Sequence, residues 1–302
     1  MTKARSLPSA FGDRPFRVAE ALDAGVHAER LRRRDLQAPV HGVRVRADGP
    51  RTDLVDAIAV VMRPDQFFSH TTAASLWGAP LPRSIEASGT IHVSTQGDGP
   101  RMRRPHVVGH RISTSSVVEL HGRRLSKPAD AWFECAGVIG VGALVAVGDH
   151  LVGPSGLATV ADLASALVPG GRHVVTARNA LDRVRVGAES AMETWFRLAV
   201  IYAGFPEPEL NIEVHDDEGR FLGRVDMAWP EYRIALEYDG DHHRERGTFQ
   251  HDQRRDNGFT VNDWVVVHAT AADRARPALV FERLRQAFER RATPADAARA
   301  TR

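Results

Sequence analysis

Apolar and polar positions change their period along this chain, and the changes mark out segments. Phe16 to Gly25 spaces its apolar residues as a short amphipathic helix that stops at a glycine. His27 to Leu36 reads as a second helix, and Val40 to Arg46 alternates as a strand does. Over 51–187 the pattern predicts helices at Leu54–Val61 and Thr71–Trp77, the latter capped by Ser69 or Thr71. Strands follow at Thr90–Ser94 and His106–Ile112. Helices then dominate from Pro128 to Val186, broken at Gly153-Pro154 and Pro169-Gly170-Gly171. Over 188–291 a helix from Ser190 to Tyr202 precedes strands at 209–215, 220–228 and 233–239. A polar helix at 244–257, a strand at Trp264–His268 and an amphipathic helix at 277–290 complete the order αβββαβα. That order predicts a mixed sheet with helices on both faces, and a mixed α/β chain overall. The polar tail 292–302 is expected to fray.

The front segment, 1–50, has a further reading. Helix, turn, basic helix and strand is the order of a winged helix-turn-helix, with Arg30, Arg32, Arg33 and Arg34 on the helix that would enter a groove. The competing reading is a solvated charge run. The region 51–187 is expected to be an α+β middle part without a nucleotide-binding or hydrolase fingerprint. Ser69-His70 has no acid at a telling spacing, so a cap is the simpler reading.

Two apolar, β-prone runs flank Trp229-Pro230-Glu231-Tyr232, a turn signal. A turn centred on Glu231 and Tyr232 sets Asp226 across from Glu237, and Asp239, two residues on, shares their face. Three converging carboxylates repel one another unless a hard divalent cation neutralises them, which makes a metal site the expectation. Next to them stand His242 and His243, whose imidazoles suit proton transfer near neutral pH.

Composition narrows the classes. One cysteine, Cys135, excludes an internal disulfide and a cysteine-rich zinc site. The longest uncharged apolar stretch, Cys135 to Gly148, is too short and too glycine-rich to span a bilayer. The first residues never build the apolar core of a secretion signal, so a soluble, cytoplasmic protein is expected. Net charge is only +2, yet residues 1–186 carry 24 Lys and Arg against 17 Asp and Glu, while 187–291 carry 14 against 20. Nucleic-acid contact in front and metal chemistry behind is one reading of that asymmetry; ordinary charge scatter is the other.

The segment 188–291 resembles the restriction-endonuclease-like superfamily, and within it the proteins akin to very-short-patch-repair endonucleases. The likeness rests on Ser190-x-x-Glu193, Val225-Asp226-x-x-Trp229-Pro230, Glu237-x-Asp239-Gly240-x-x-His243, Asp252-x-x-Arg255 and Trp264-Val-Val-Val-His268. The front of the chain, with Ser69-His70-x-x-Ala73-x-x-x-Trp77-Gly78, resembles the winged-helix antitoxins of abortive-infection systems. The first resemblance implies a Mg²⁺ or Mn²⁺ ion held by Asp226 and Glu237, with Glu193 completing the shell, and a DNA endonuclease activity. Glu193 has a second reading in the residues themselves, as the Glu of a capping box begun by Ser190. Where the superfamily carries a lysine, two residues after the Glu, this chain has Asp239, and no lysine follows Lys127. His242, His243 and Arg255 are the candidates to supply the missing proton transfer or positive charge, though Arg255 with Asp252 is equally a helix salt bridge. The second resemblance implies the alternative: a non-catalytic, DNA-binding antitoxin-like regulator with a vestigial nuclease domain, and a toxin or defence-system partner. Double-stranded DNA is the expected ligand under both. Trp229 and Trp264 are expected in the core.

Overall fold

Buried Val26, Leu31 and Leu36 recur five residues apart, which on a helix would scatter them about 140° apart around the axis. No helix buries such a set on one face, and the expected second helix at 27–36 is absent. A three-residue 3-10 turn, Arg30–Arg32, stands there instead, inside a loop that Arg30 closes with a two-pronged bond to Asp35 (3.1 and 2.7 Å). The structure, a computed structural model of the chain, describes residues 7–11, 14–48, 53–113, 115–239 and 255–291. It divides into two units between Val138 and Ile139.

In the first unit, β1 (Phe16–Arg17), β2 (Leu36–Gln37) and β3 (Val43–Arg46) form a small antiparallel sheet in the order β1-β3-β2, with α1 (Val18–Asp23) following β1. Gly25 ends the α1 segment with φ +81°, a left-handed value that glycine takes without strain. Next come α2 (Leu54–Val61), capped by the Asp53 carboxylate on the Val55 N–H, β4 (Gln66–Phe68), α3 (His70–Leu76) and α4 (Arg83–Ser88). The strands β5 (Ile91–Gln96), β6 (Val107–Ile112), β7 (Val117–Leu120) and β8 (Arg123–Ser126) lead to α5 (Pro128–Cys135). A five-stranded sheet results, ordered β6-β5-β4-β8-β7, with Phe68, Val93 and Leu125 fully buried in its core. The β7–β8 hairpin turns through His121 and Gly122 at φ +50° and +74°. Its His-Gly pair between short apolar runs was the signal available for it. Ser69 does precede α3, but its hydroxyl makes no cap bond; it faces the Ser94 hydroxyl at 2.7 Å and His70 Nδ1 at 3.0 Å.

The second unit opens with α6 (Val141–Val152), α7 (Val160–Ser165) and α8 (Val174–Leu181); α6 packs on α8 and on α9 (Ala191–Tyr202), and α7 packs on α8. The buried Asp149 of α6 binds Arg197 of α9 at 2.7 Å, both side chains 1% exposed. This pair ties α6 to α9 within the second unit. Then β9 (Glu209–His215), β10 (Phe221–Trp229) and β11 (Ile234–Asp239) run as an antiparallel meander. The described part of the next helix, α10, covers 255–261. Strand β12 (Val265–Thr270) pairs parallel to β11, and α11 (Ala278–Arg291) closes the unit. The sheet order is β12-β11-β10-β9. Phe196, Val200, Val280 and Leu284 of α9 and α11 cover one face through Met227, Leu236 and Val267. Phe259 of α10 packs with Ala228 and Ala235 on the other, where Trp264 and Val266 join it. Trp229 is buried and donates its indole N–H to the Pro206 carbonyl. The chain is a mixed α/β protein in which, among the described residues, no helix is long and apolar enough to cross a membrane.

Candidate active site

The turn between β10 and β11 is a 3-10 turn at Pro230–Tyr232, released by Arg233 at φ +50°. It sets Met227 against Leu236, Ala228 against Ala235 and Trp229 against Ile234. One step further along this register Asp226 stands across from Glu237, as the symmetry about Glu231 and Tyr232 predicts. There the ladder gives way to a side-chain bond: Asp226 Oδ2 accepts the Tyr238 N–H at 2.7 Å. On the other side of β11, the parallel register puts His268 beside Glu237 and Thr270 beside Asp239. Strand alternation then turns Asp226, Glu237, Asp239 and His268 to the α10 face, while Met227, Leu236 and Val267 point to α9 and α11.

Glu237, Asp239 and His268 bring one ligand atom each to within 4.8 Å of one another. His268 Nδ1 lies 3.2 Å from Asp239 Oδ2, and its Nε2 lies 3.9 Å from Asp256 Oδ2. Glu237 is buried, whereas Asp239 and His268 are partly open to solvent. Sequence reading gave His268 no role. It follows Val265-Val266-Val267 within β12, but only the parallel pairing reveals its neighbour.

Asp226 is the electrostatically unfavourable member. Burial pushes its carboxyl up to about 6, the Tyr238 N–H works against that, and the charges of Glu193 and Glu237 push it further up. Glu193 therefore acts on the site, but one of its oxygens is engaged elsewhere. Its Oε2 accepts from the Glu189 N–H (2.9 Å) and from Asn211 Nδ2 (2.8 Å), while Ser190 Oγ accepts the Glu193 N–H (3.1 Å). The helix-capping role is realised, with the reach-back falling on Glu189 instead of Ser190.

Arg255 grips both oxygens of Glu237, at 2.9 Å for Nη1 to Oε2 and through Nη2 to Oε1. Its guanidinium also lies 5.3 Å over the Phe259 ring. The room for it comes from Gly223, where a Cβ would stand 2.6 Å from Arg255 Nε and 3.0 Å from the Phe259 ring. His242, His243, Asp252 and the 244–254 part of the expected polar helix lie outside the described residues. In the first unit, Arg32, Arg33 and Arg34 are exposed on the loop that replaces the expected helix, and Arg30 is paired with Asp35.

No family model matches the chain, and no solved structure matches it. Two curated proteins do: the uncharacterized protein Rv2248 of Mycobacterium tuberculosis strain H37Rv and the uncharacterized protein MT2308 of strain CDC 1551. Each is 30% identical over 236 residues, covering 72% of this chain and 80% of the relative. At that identity and coverage, the chain belongs to the family of these mycobacterial proteins.

Proposed function

We propose that this chain is a metal-dependent phosphodiester hydrolase acting on DNA, with Asp226, Glu237, Asp239 and His268 as its working face. The observation that carries the reading is their convergence on one side of adjacent strand ends, with Asp226 driven up to about 6 by burial and by its acidic neighbours. Such an excess of buried negative charge is what a hard divalent cation relieves. The order α9-β9-β10-β11-α10-β12-α11, with acids on the second and third strands, supports the likeness to the restriction-endonuclease-like superfamily.

The donor set fits Mg²⁺ or Mn²⁺, and the imidazole of His268 favours Mn²⁺. Glu237, Asp239 and His268 would hold the ion beside Asp226. When bound, it supplies Lewis acidity at the scissile phosphate and a water acidic enough to attack it. The chain's own groups do the rest. Asp226, poised near neutrality, takes a proton from the attacking water. His268 and Asp239, 3.2 Å apart, complete the donor set beside Glu237. Arg255 brings the positive charge that Asp239, in the usual lysine position, does not.

One observation favours a second reading. The fork of Arg255 neutralises both oxygens of Glu237, a closed pair that suits a DNA-binding regulator with a retired nuclease site. Nicking of supercoiled plasmid in Mg²⁺ or Mn²⁺ separates the two. Under the hydrolase reading, wild type nicks, and Asp226→Ala, Glu237→Ala and His268→Ala each lose about 10²-fold or more in rate. Equal rates in wild type and in Asp226→Ala and Glu237→Ala would sink it. A wild type that binds DNA but never nicks would leave the regulator reading standing.

A further inference from the structure

Far along the chain from the acidic strands, in the first unit, three imidazoles meet. His70 opens α3, His92 lies on β5 and His110 on β6, and the parallel β5–β6 register brings the last two side by side, offset by two residues. His92 Nδ1 and His110 Nε2 face each other at 2.9 Å. The His70 ring stacks on His110 with centroids 3.7 Å apart and lies 5.3 Å from that of His92. One ring nitrogen from each residue falls within 4.8 Å of the other two. Nitrogen ligands at about 2.0–2.1 Å around a tetrahedral Zn²⁺ stand about 3.3 Å apart; the three rings lie within 12–22° of parallel, so binding turns them about their side-chain bonds until each ring plane contains the ion.

What surrounds the rings is equally specific. His70 Nδ1 lies 3.0 Å from Ser69 Oγ and 3.8 Å from Glu134 Oε2, which leaves Nε2 as its free ligand atom. Glu134, its side chain 7% exposed, accepts from the His70 N–H (2.8 Å), from Ser115 Oγ (2.9 Å) and from Ser126 Oγ (3.0 and 2.9 Å). Ser94 Oγ in turn donates to Ser69 Oγ at 2.7 Å. The Ser69 hydroxyl holds one nitrogen of His70 so that the other faces inward, while Glu134 holds the residue's backbone N–H; together they act as an outer shell for a metal-bound imidazole. His70 also sits at φ +51°, a left-handed conformation that is strained for a non-glycine residue. The Glu134 bond to its N–H fixes that conformation and with it the ring's position.

We propose that His70, His92 and His110 form a second metal site, for a borderline-soft ion of the Zn²⁺ class, braced by Glu134 through His70. Three imidazoles and no thiolate match the ligand set of zinc sites that keep a fourth position for water or an exogenous ligand. Binding needs no oxidant and releases no net proton: the proton shared between His92 Nδ1 and His110 Nε2 moves to a ring's outer nitrogen, and both lone pairs turn to the ion.

The site is testable apart from the acidic one. Full-length protein carrying Glu237→Gln, Asp239→Asn and His268→Gln is stripped with a chelator, then titrated with Zn²⁺ and with Co²⁺. The expected result is one Zn²⁺ per chain by elemental analysis and an intense visible Co²⁺ spectrum of tetrahedral, nitrogen-ligated type. His110→Gln, on the sheet edge, loses both. Glu134→Gln keeps the ion but binds it about 10- to 100-fold more weakly. A faint, octahedral Co²⁺ spectrum in the chain that keeps its three histidines overturns the proposal without reliance on any histidine variant. So does undiminished Zn²⁺ in a folded His110→Gln.

Discussion

At the scale of the residue, Asp226 shows what the site costs the fold. Its carboxyl titrates near 6 in the folded chain, above the ordinary 3.8. Between those values the folded state keeps a proton that the unfolded chain has released, so stability falls as pH rises through this window and stays low above it. Asp226→Asn keeps an acceptor for the Tyr238 N–H and removes the charge. In metal-free buffer it should therefore be more stable than wild type near pH 7 by about 1–2 kcal/mol, after allowance for partial exposure. The gain should vanish near pH 4. Urea unfolding at the two pH values checks this, and equal midpoints near pH 7 would mean that burial does not penalise this carboxylate. Asp226 and Glu237 were legible as a pair in the sequence because both lie on one local hairpin. His268 was not, since nothing in its own segment names a partner thirty residues away.

At the scale of the element, the misread segment is 27–36. Its arginines resemble a helix face, but the buried positions fall every five residues, and that spacing belongs to a loop wound over a small core. The β10–β11 register, by contrast, could be read from the chain's symmetry about Glu231 and Tyr232. The short strands β4, β7 and β8 carry too few residues for alternation to declare itself. Helix α10 depends on an absence of side chain: Gly223 leaves the slot that Arg255 and Phe259 occupy. Gly223→Ala should cost about 1–3 kcal/mol through overpacking. Its specific signature would be faster amide exchange over 255–261. If exchange there is unchanged while stability drops, the strain has been absorbed by β10 and the slot does not position the helix.

At the scale of the whole molecule, the second unit is tied together internally by Asp149 and Arg197. Asp149 also accepts from Thr194 Oγ1 and the Arg185 N–H at 2.8 Å each, and Arg197 is fully buried. Asp149→Ala leaves the buried guanidinium with only Glu207, 3.8 Å away, as a counter-charge and should lose about 3–5 kcal/mol. Adding Arg197→Met should recover much of the loss, and denaturant melts of the single and double variants measure both. The sequence marked these helices as helices, but it gave no sign of which sheet they join, because a buried ion pair between distant segments leaves no local trace. The charge asymmetry is a sequence-level property with its own test. If the exposed loop of the first unit contacts DNA, replacing Arg32, Arg33 and Arg34 with Ala should weaken binding and flatten its dependence on salt by about three phosphate contacts. An unchanged slope would place the contact elsewhere.

The parallel pairing of β11 and β12 has a consequence in time. The meander β9-β10-β11 closes through short turns, whereas β12 reaches Glu237 only after the crossover that spans 240–264. Pairings of long sequence separation form late. A chain emerging residue by residue thus presents Asp226 and Glu237 before Arg255 or His268 exists to meet them, and the chemically complete patch is among the last parts of its unit to come into being.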